Sequence, residues 1–232
     1  MLELLFAALI AVPAGQDDEP PCEAYGADDS LSIGAAIAPG RPGGELSLYA
    51  NEGLHGTIGV PLRCFSGWSS SDPAVTVAPE RGKIIVGREA TPGRDVEITG
   101  TIGARSVRTR FRIAPAEGPV LTGFWSQTSV DCHGPVPRDP LRELRFNSDG
   151  SFGVTFVPFE VRQDYWGSVE FDPAAERIGF AVERGNSVPA DLMLKGRGRV
   201  EGDNRLLLDG VYFGGLDVAP PAGGCSYVFQ KR

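Results

Sequence analysis

From Leu121 to Arg232 the chain breaks into short segments in which apolar and polar residues alternate, and this alternation narrows the possible folds more than anything else in the sequence. Read with a period of two, the segments are Leu121–Gln127, Leu141–Asn147, Ser151–Val157, Tyr165–Phe171, Arg177–Glu183, Ala190–Val200, Arg205–Phe213 and Gly224–Gln230. Phe152, Val154 and Phe156 share one face, as do Ile178, Phe180 and Val182. In Ala190–Val200, Leu192, Leu194, Gly196, Gly198 and Val200 share a face, and Lys195, Arg197 and Arg199 take the opposite one. One dry face and one wet face is what the wall of an antiparallel barrel needs, because side chains alternate across a sheet. Asn147–Gly150 and Glu201–Asn204 read as hairpin turns. Gly196 and Gly198 are positions where a strand can bend sharply to close the barrel.

The N-terminal half carries a similar pattern. Apolar alternation recurs in Leu31–Ile37, Leu46–Tyr49, Val75–Val77, Lys83–Val86, Val96–Thr99 and Val107–Ile113, separated by turns rich in Gly, Pro and Asp. Short strands at this spacing predict a β-sandwich. Ala114–Pro119 reads as a short linker. The expected organisation is therefore a sandwich over residues 22–115 and an eight-stranded antiparallel barrel over 120–232.

The 232 residues carry a formal charge of −8, which argues against nucleic acid and anionic lipid as partners. The densest basic stretch, Arg105–Arg112, alternates and reads as the solvent face of a strand.

Four cysteines, Cys22, Cys64, Cys132 and Cys225, show no C-x-x-C spacing, and the only histidines are His55 and His133. No metal site or cofactor is expected from them. Of three possible pairings, Cys22–Cys64 and Cys132–Cys225 each fall inside one expected domain. The second also suits a closed barrel, where the end of the first strand meets the beginning of the last. Four free thiols in a reducing compartment is the alternative, and the N-terminus weighs against it. Leu2–Val12 is apolar, too short for the roughly 20 residues of a membrane-spanning helix, and fits the core of a secretory signal with cleavage near Ala14. Residues 1–14 are therefore expected to be a signal peptide, and the protein secreted or periplasmic. No Lys or Arg precedes the run and Glu3 is negative, which fits a misplaced start codon or a truncated basic region.

Two stretches resemble known families. Trp68-Ser69-Ser70-Ser71-Asp72-Pro73-Ala74-Val75-Thr76-Val77, followed by Gly82-Lys83-Ile84, resembles the bacterial immunoglobulin-like domain, group 2. The resemblance implies an immunoglobulin-like sandwich with Trp68 as a packing residue, acting as a spacer or adhesive module without an active site. Gly123-Phe124-Trp125 together with the terminal Lys231-Arg232 resembles the lipocalin-like (calycin) superfamily. That resemblance implies that Trp125 closes one end of the barrel and that Lys231 or Arg232 packs across its ring. The segment is shorter than a typical lipocalin and lacks the late Thr-Asp-Tyr motif, so its barrel either holds a small cavity or is filled by its own side chains.

The most unusual stretch is Phe156–Gly167. Phe159, Tyr165 and Trp166 suit stacking on a flat apolar or sugar ligand, with Glu160, Arg162 and Asp164 as polar contacts. Phe159, Arg162, Tyr165 and Trp166 are the expected ligand-binding set; the alternative is a packed connection that plugs the barrel. Glu160 with Asp164, or Asp164 with Glu170, form carboxylate pairs of the sort glycosidases use, though acidic residues are too frequent for these pairs to be diagnostic. The Ser69–Ser71 run has only His55 as a base, and His133 stands alone. No phosphate loop, H-E-x-x-H or G-x-S-x-G pattern occurs. The expected function is that of a secreted non-enzymatic binding module, which holds a small apolar ligand in the barrel or docks a protein, with the sandwich as spacer. The alternatives are a secreted protease inhibitor, since small disulfide-closed barrels occur as bacterial metalloprotease inhibitors, and an extracellular glycan hydrolase.

Overall fold

The computed structural model describes residues 20–26, 30–35, 38–53, 58–132, 134, 141–156, 165–186, 188–214 and 221–232. These residues are all-β, and their helical parts are single 3-10 turns.

The N-terminal strands are β1 (Ser32–Ala35), β2 (Glu45–Glu52), β3 (Ile58–Gly59), β4 (Ser66–Ser70), β5 (Val75–Ala78), β6 (Lys83–Val86), β7 (Asp95–Ile102) and β8 (Arg105–Arg112). They form two antiparallel sheets, one in the order β1-β2-β6-β5 with β3 on β2, the other β4-β7-β8. Leu46, Leu48, Ile84 and Val86 from the first sheet and Val96, Ile98 and Phe111 from the second are buried in one cluster. The sandwich follows from period-two patterning, since each strand offers one apolar face and only a second sheet can cover it. Trp68 is half-buried, packs on Phe65 with ring centroids 5.2 Å apart, and lies over Gly100. Arg108, Arg110 and Arg112 face solvent, where Arg110 pairs with Glu97 (2.9 Å) and Arg112 with Asp95 (2.7 Å). Hydrogen bonding from Arg112 holds the Asp95 carboxyl below its ordinary pKa. Both groups are well exposed, so solvent screening leaves this pair little weight in stability.

The barrel is built from β9 (Gly123–Cys132), β10 (Glu143–Phe146), β11 (Ser151–Thr155), β12 (Tyr165–Asp172), β13 (Arg177–Gly185), β14 (Lys195–Glu201), β15 (Arg205–Val211) and β16 (Cys225–Lys231). Each strand pairs antiparallel with the next, and β16 returns to β9, so the sheet closes. Closure removes the open edges that would otherwise present unpaired backbone groups. Both expected disulfides are present, Cys22–Cys64 and Cys132–Cys225. Cys132 and Cys225 stand directly opposite each other in the β9–β16 register and clamp the seam of the barrel. Bridges of this kind suit an oxidising environment.

One end of the barrel is closed by Trp125, which is fully buried and donates its indole N–H to the Leu121 carbonyl at 2.7 Å. Lys231 is the basic residue across the ring, with Nζ 5.1 Å from the centroid. Arg232, the other candidate, turns away to Ser126, to Glu143 (3.2 Å) and to the Arg142 carbonyl (3.1 Å), tying β9, β10 and β16 together. Burial lowers the Lys231 pKa. Gly123 explains the spacing of the motif: its φ is +142°, and a Cβ there would lie 2.4 Å from Lys231 Cε. Gly123→Ala is expected to push Lys231 off the ring and strain the backbone, lowering stability by about 1–3 kcal/mol in chemical denaturation.

The strand bounds depart from expectation in several places. The first barrel strand runs to Cys132 rather than Gln127, because its pairing with β16 extends the full length of that strand. The Ala190–Val200 segment becomes a strand only at Lys195, since β13 and β14 pair over just Arg177–Gly179 and Lys195–Arg197. The short strand β3 lies outside every segment picked out by alternation, because two residues are too few to show a period.

Candidate functional site

Among the described residues, the inward faces of the barrel strands pack their own side chains against one another. Phe146, Phe152, Phe180, Phe213, Tyr227 and Phe229 are at most 5% exposed. They meet in tilted, stacked and edge-to-face contacts, such as Phe152–Phe180 at 5.0 Å and Phe213–Tyr227 at 5.4 Å. Tyr165 belongs to this packing. It is fully buried, donates its hydroxyl to the Phe213 carbonyl at 2.7 Å, and is pushed by burial well above the ordinary phenol pKa. It is thus a protonated residue of the barrel core. Its inward direction follows from parity, since Tyr165 pairs with Val154, itself buried.

The next residue, Trp166, points the other way and is 40% exposed. Register places it in a row across the outer wall: Arg145 pairs with Gly153, Gly153 with Trp166, and Trp166 with Arg184. A bulge in the β12–β13 ladder between Trp166 and Gly167 restores Arg184 to the same side as Trp166. Gly153 leaves a gap in this row. Arg145 lies across it, so that a Cβ on Gly153 would sit 3.3 Å from Nη2 and 3.7 Å from Nε. The Arg145 Nε is buried without a hydrogen-bond partner, and Arg145 makes no ion pair with a described residue. An orphaned buried donor of this kind costs about 1–3 kcal/mol, more for a charged group, and therefore marks a place where a partner is wanted.

Two hollows meet at Arg145. One, of about 260 Å³, is lined by Glu143, Arg145, Thr155, Trp166 and Asn186. The other, of about 230 Å³, lies between barrel and sandwich and is lined by Tyr49, Arg110, Arg145, Asn147 and Asp149. Tyr49 and Trp166 are the most exposed aromatics among the described residues, at 46% and 40%, and one lines each hollow. Beside the second hollow the Arg112 N–H donates to the Ser148 carbonyl at 2.8 Å, and the Arg41 guanidinium grips the Pro115 and Gly118 carbonyls of the linker at 2.6 Å each. A larger open groove of about 820 Å³ over β12 to β14 holds Glu170, Asp172, Arg177 and Lys195. Its lining has no exposed aromatic ring, and its Asp172 is already bonded to Arg177 at 3.2 Å, so it is the weaker candidate.

Of the four expected ligand-binding residues, Trp166 and Tyr165 both line the outer hollow, Trp166 exposed and Tyr165 with its side chain buried in the core. Phe159 and Arg162 lie outside the described residues, as do Glu160, Asp164, His55, His133 and the 1–14 segment. Glu170 lines the larger groove. Among the described residues no group of His, Cys, Asp and Glu could hold a metal ion, and no helix is long and apolar enough to cross a membrane. Arg145, Gly153 and Tyr49 were missed by sequence reasoning. Only the strand register shows that Arg145 faces a glycine with Trp166 beyond. Compared with known proteins, the chain matches no family model, no curated protein and no solved structure.

Proposed function

We propose that this protein is a secreted, non-enzymatic binding module that takes its ligand on the outer wall of the barrel, around Arg145 and Trp166. The observation that carries this reading is the contrast between an interior packed with its own rings and an outer wall where the most exposed aromatics flank an unpartnered arginine. A packed interior speaks against an apolar ligand inside the barrel, leaving the outer wall as the docking surface. The barrel is read as lipocalin-like, supported by the Trp125–Lys231 closure, and the sandwich as an immunoglobulin-like spacer of the bacterial group 2 type, supported by the packing of Trp68 on Phe65. Export rests on the apolar run before Ala14 and on the two disulfides, and residues 1–14, 22–115 and 120–232 are its proposed divisions.

Oxidative footprinting tests the reading directly. The protein is labelled in its own export compartment and again after purification, with Ile58, which lines neither hollow, as the reference. Trp166 and Tyr49 are expected to be protected in the compartment and reactive when pure. Equal labelling in both samples would overturn the assignment of this wall as the binding face.

A further inference from the structure

The geometry points to a ligand class for this wall: a carboxylate-bearing oligosaccharide, one acidic sugar of which places its carboxylate on Arg145 and its ring against Trp166. This inference rests on the outer-wall reading and adds the chemistry of the ligand.

Three observations carry it. The first is size and division. Two adjoining hollows of about 260 and 230 Å³ suit successive rings of a chain better than the broad surface of a protein, which needs roughly 1,000 Å² or more of close contact. The second is the lining. A pyranose has an apolar C–H face that packs on an aromatic ring and a rim of hydroxyls that both donate and accept. Trp166 and Tyr49 provide one ring per hollow, while Thr155, Asn186 and Asn147 offer mixed donors and acceptors. The third is Arg145 itself. Its guanidinium lies in the gap left by Gly153, at the meeting point of both hollows, with Nε buried and unpartnered. A planar guanidinium with free N–H groups matches a carboxylate through two parallel bonds. Among the neighbouring charges, Glu143 is held by Arg232 at 3.2 Å and Arg110 by Glu97 at 2.9 Å. Arg184, opposite Trp166 in the strand register, is a second cation beside Arg145, and the Asp149 carboxylate, bonded to Ser151, lines the other hollow, so the acidic sugar belongs on the Trp166 side of Arg145. In a chain of net charge −8, an anion is not drawn in by the overall field, and recognition depends on this local pairing.

The test is calorimetric titration of the full chain, at low ionic strength, with trimers of galacturonic acid and of mannuronic acid and with the neutral galactose and mannose trimers. At least one acidic trimer is expected to bind, with its neutral counterpart weaker by about tenfold or more, the discrimination of a charge-assisted bidentate pair. Arg145→Gln is expected to reduce acidic-trimer affinity by about ten- to hundredfold, to the neutral level. Trp166→Ala should weaken acidic and neutral trimers alike. Gly153→Ala keeps the arginine but displaces its guanidinium, and should give an intermediate loss confined to the acidic trimer. Unchanged thermal unfolding of each variant confirms that folding is intact. Equal affinity for acidic and neutral trimers, an Arg145→Gln variant that binds as well as the parent, or no binding of any trimer would each overturn the assignment. If no trimer binds while Trp166 and Tyr49 are protected in the export compartment, the saccharide chemistry is lost and the outer-wall reading stands. Absence of protection removes both.

Discussion

Replacing Cys132 and Cys225 together by serine is expected to lower the unfolding free energy by about 2–5 kcal/mol, read from urea denaturation of oxidised parent and variant. The two residues are 93 positions apart, and the loop-entropy model puts the bridge near the top of that range at about 4.7 kcal/mol. They also occupy facing positions at one end of the β9–β16 ladder, the pairing that turns an open eight-stranded sheet into a barrel. The effect should therefore be local as well as global. Hydrogen exchange is expected to quicken first at Val130–Cys132 and Cys225–Tyr227, ahead of the other ladders. The Cys22–Cys64 bridge spans 42 positions and joins two 3-10 turns rather than a seam, so its removal should cost less, at most about 4 kcal/mol. Equal exchange across all barrel strands in the Cys132/Cys225 variant would show that the bridge acts on the unfolded chain alone.

Trp125→Ala carries the second large effect, about 3–5 kcal/mol in the same assay. The ring is fully buried at the end of the barrel core, and its loss leaves a cavity that the rigid ladders around it cannot collapse to fill. It also leaves the Leu121 carbonyl without its donor and Lys231 without the ring beneath it. Two further variants separate these contributions. Trp125→Phe keeps most of the volume and loses the indole N–H, and should cost markedly less than Trp125→Ala. Lys231→Met keeps the covering chain and removes the charge, and should cost about 0.5–2 kcal/mol. A Trp125→Phe variant as unstable as Trp125→Ala would show that the hydrogen bond, not the packing, holds this end closed.

The parts of the fold legible in the sequence are those governed by local alternation. Leu144 and Phe146, Phe152 and Val154, and Leu206 and Leu208 face the core as their spacing predicts, and the hairpin turns at Asn147–Gly150 and Glu201–Asn204 lie between the expected strands. The disulfide pairing was legible too, because closure of an even-numbered antiparallel sheet brings the end of its first strand to the start of its last. The site was much less so. The aromatic run containing Tyr165 and Trp166 stood out in the sequence, yet the two rings part company. A strand sends neighbouring side chains to opposite faces, and which face is core is settled by partners on β11 and β13.

Alone, then, the sequence pointed to the all-β class, the eight barrel strands and the two bridges, each of which depends on period, spacing or composition, which one dimension records. The Trp125 closure with a basic residue from the C-terminus was an expectation from the resemblance of Gly123-Phe124-Trp125 and Lys231-Arg232 to the lipocalin-like superfamily. Tertiary structure decided that Lys231 rather than Arg232 crosses the Trp125 ring, that the inward-facing aromatic rings of the described strands pack on one another, and that Arg145 lies over Gly153 between two hollows. It also decided why certain glycines are needed. A Cβ on Gly167 would lie 1.9 Å from the Ala181 carbonyl oxygen at the β12–β13 bulge, and one on Gly196 would lie 2.2 Å from that of Asp209. The reason is common to all of these. Cross-strand neighbours are set by register, bulges and closure, and the space inside a barrel is set by the volumes of side chains far apart in the chain.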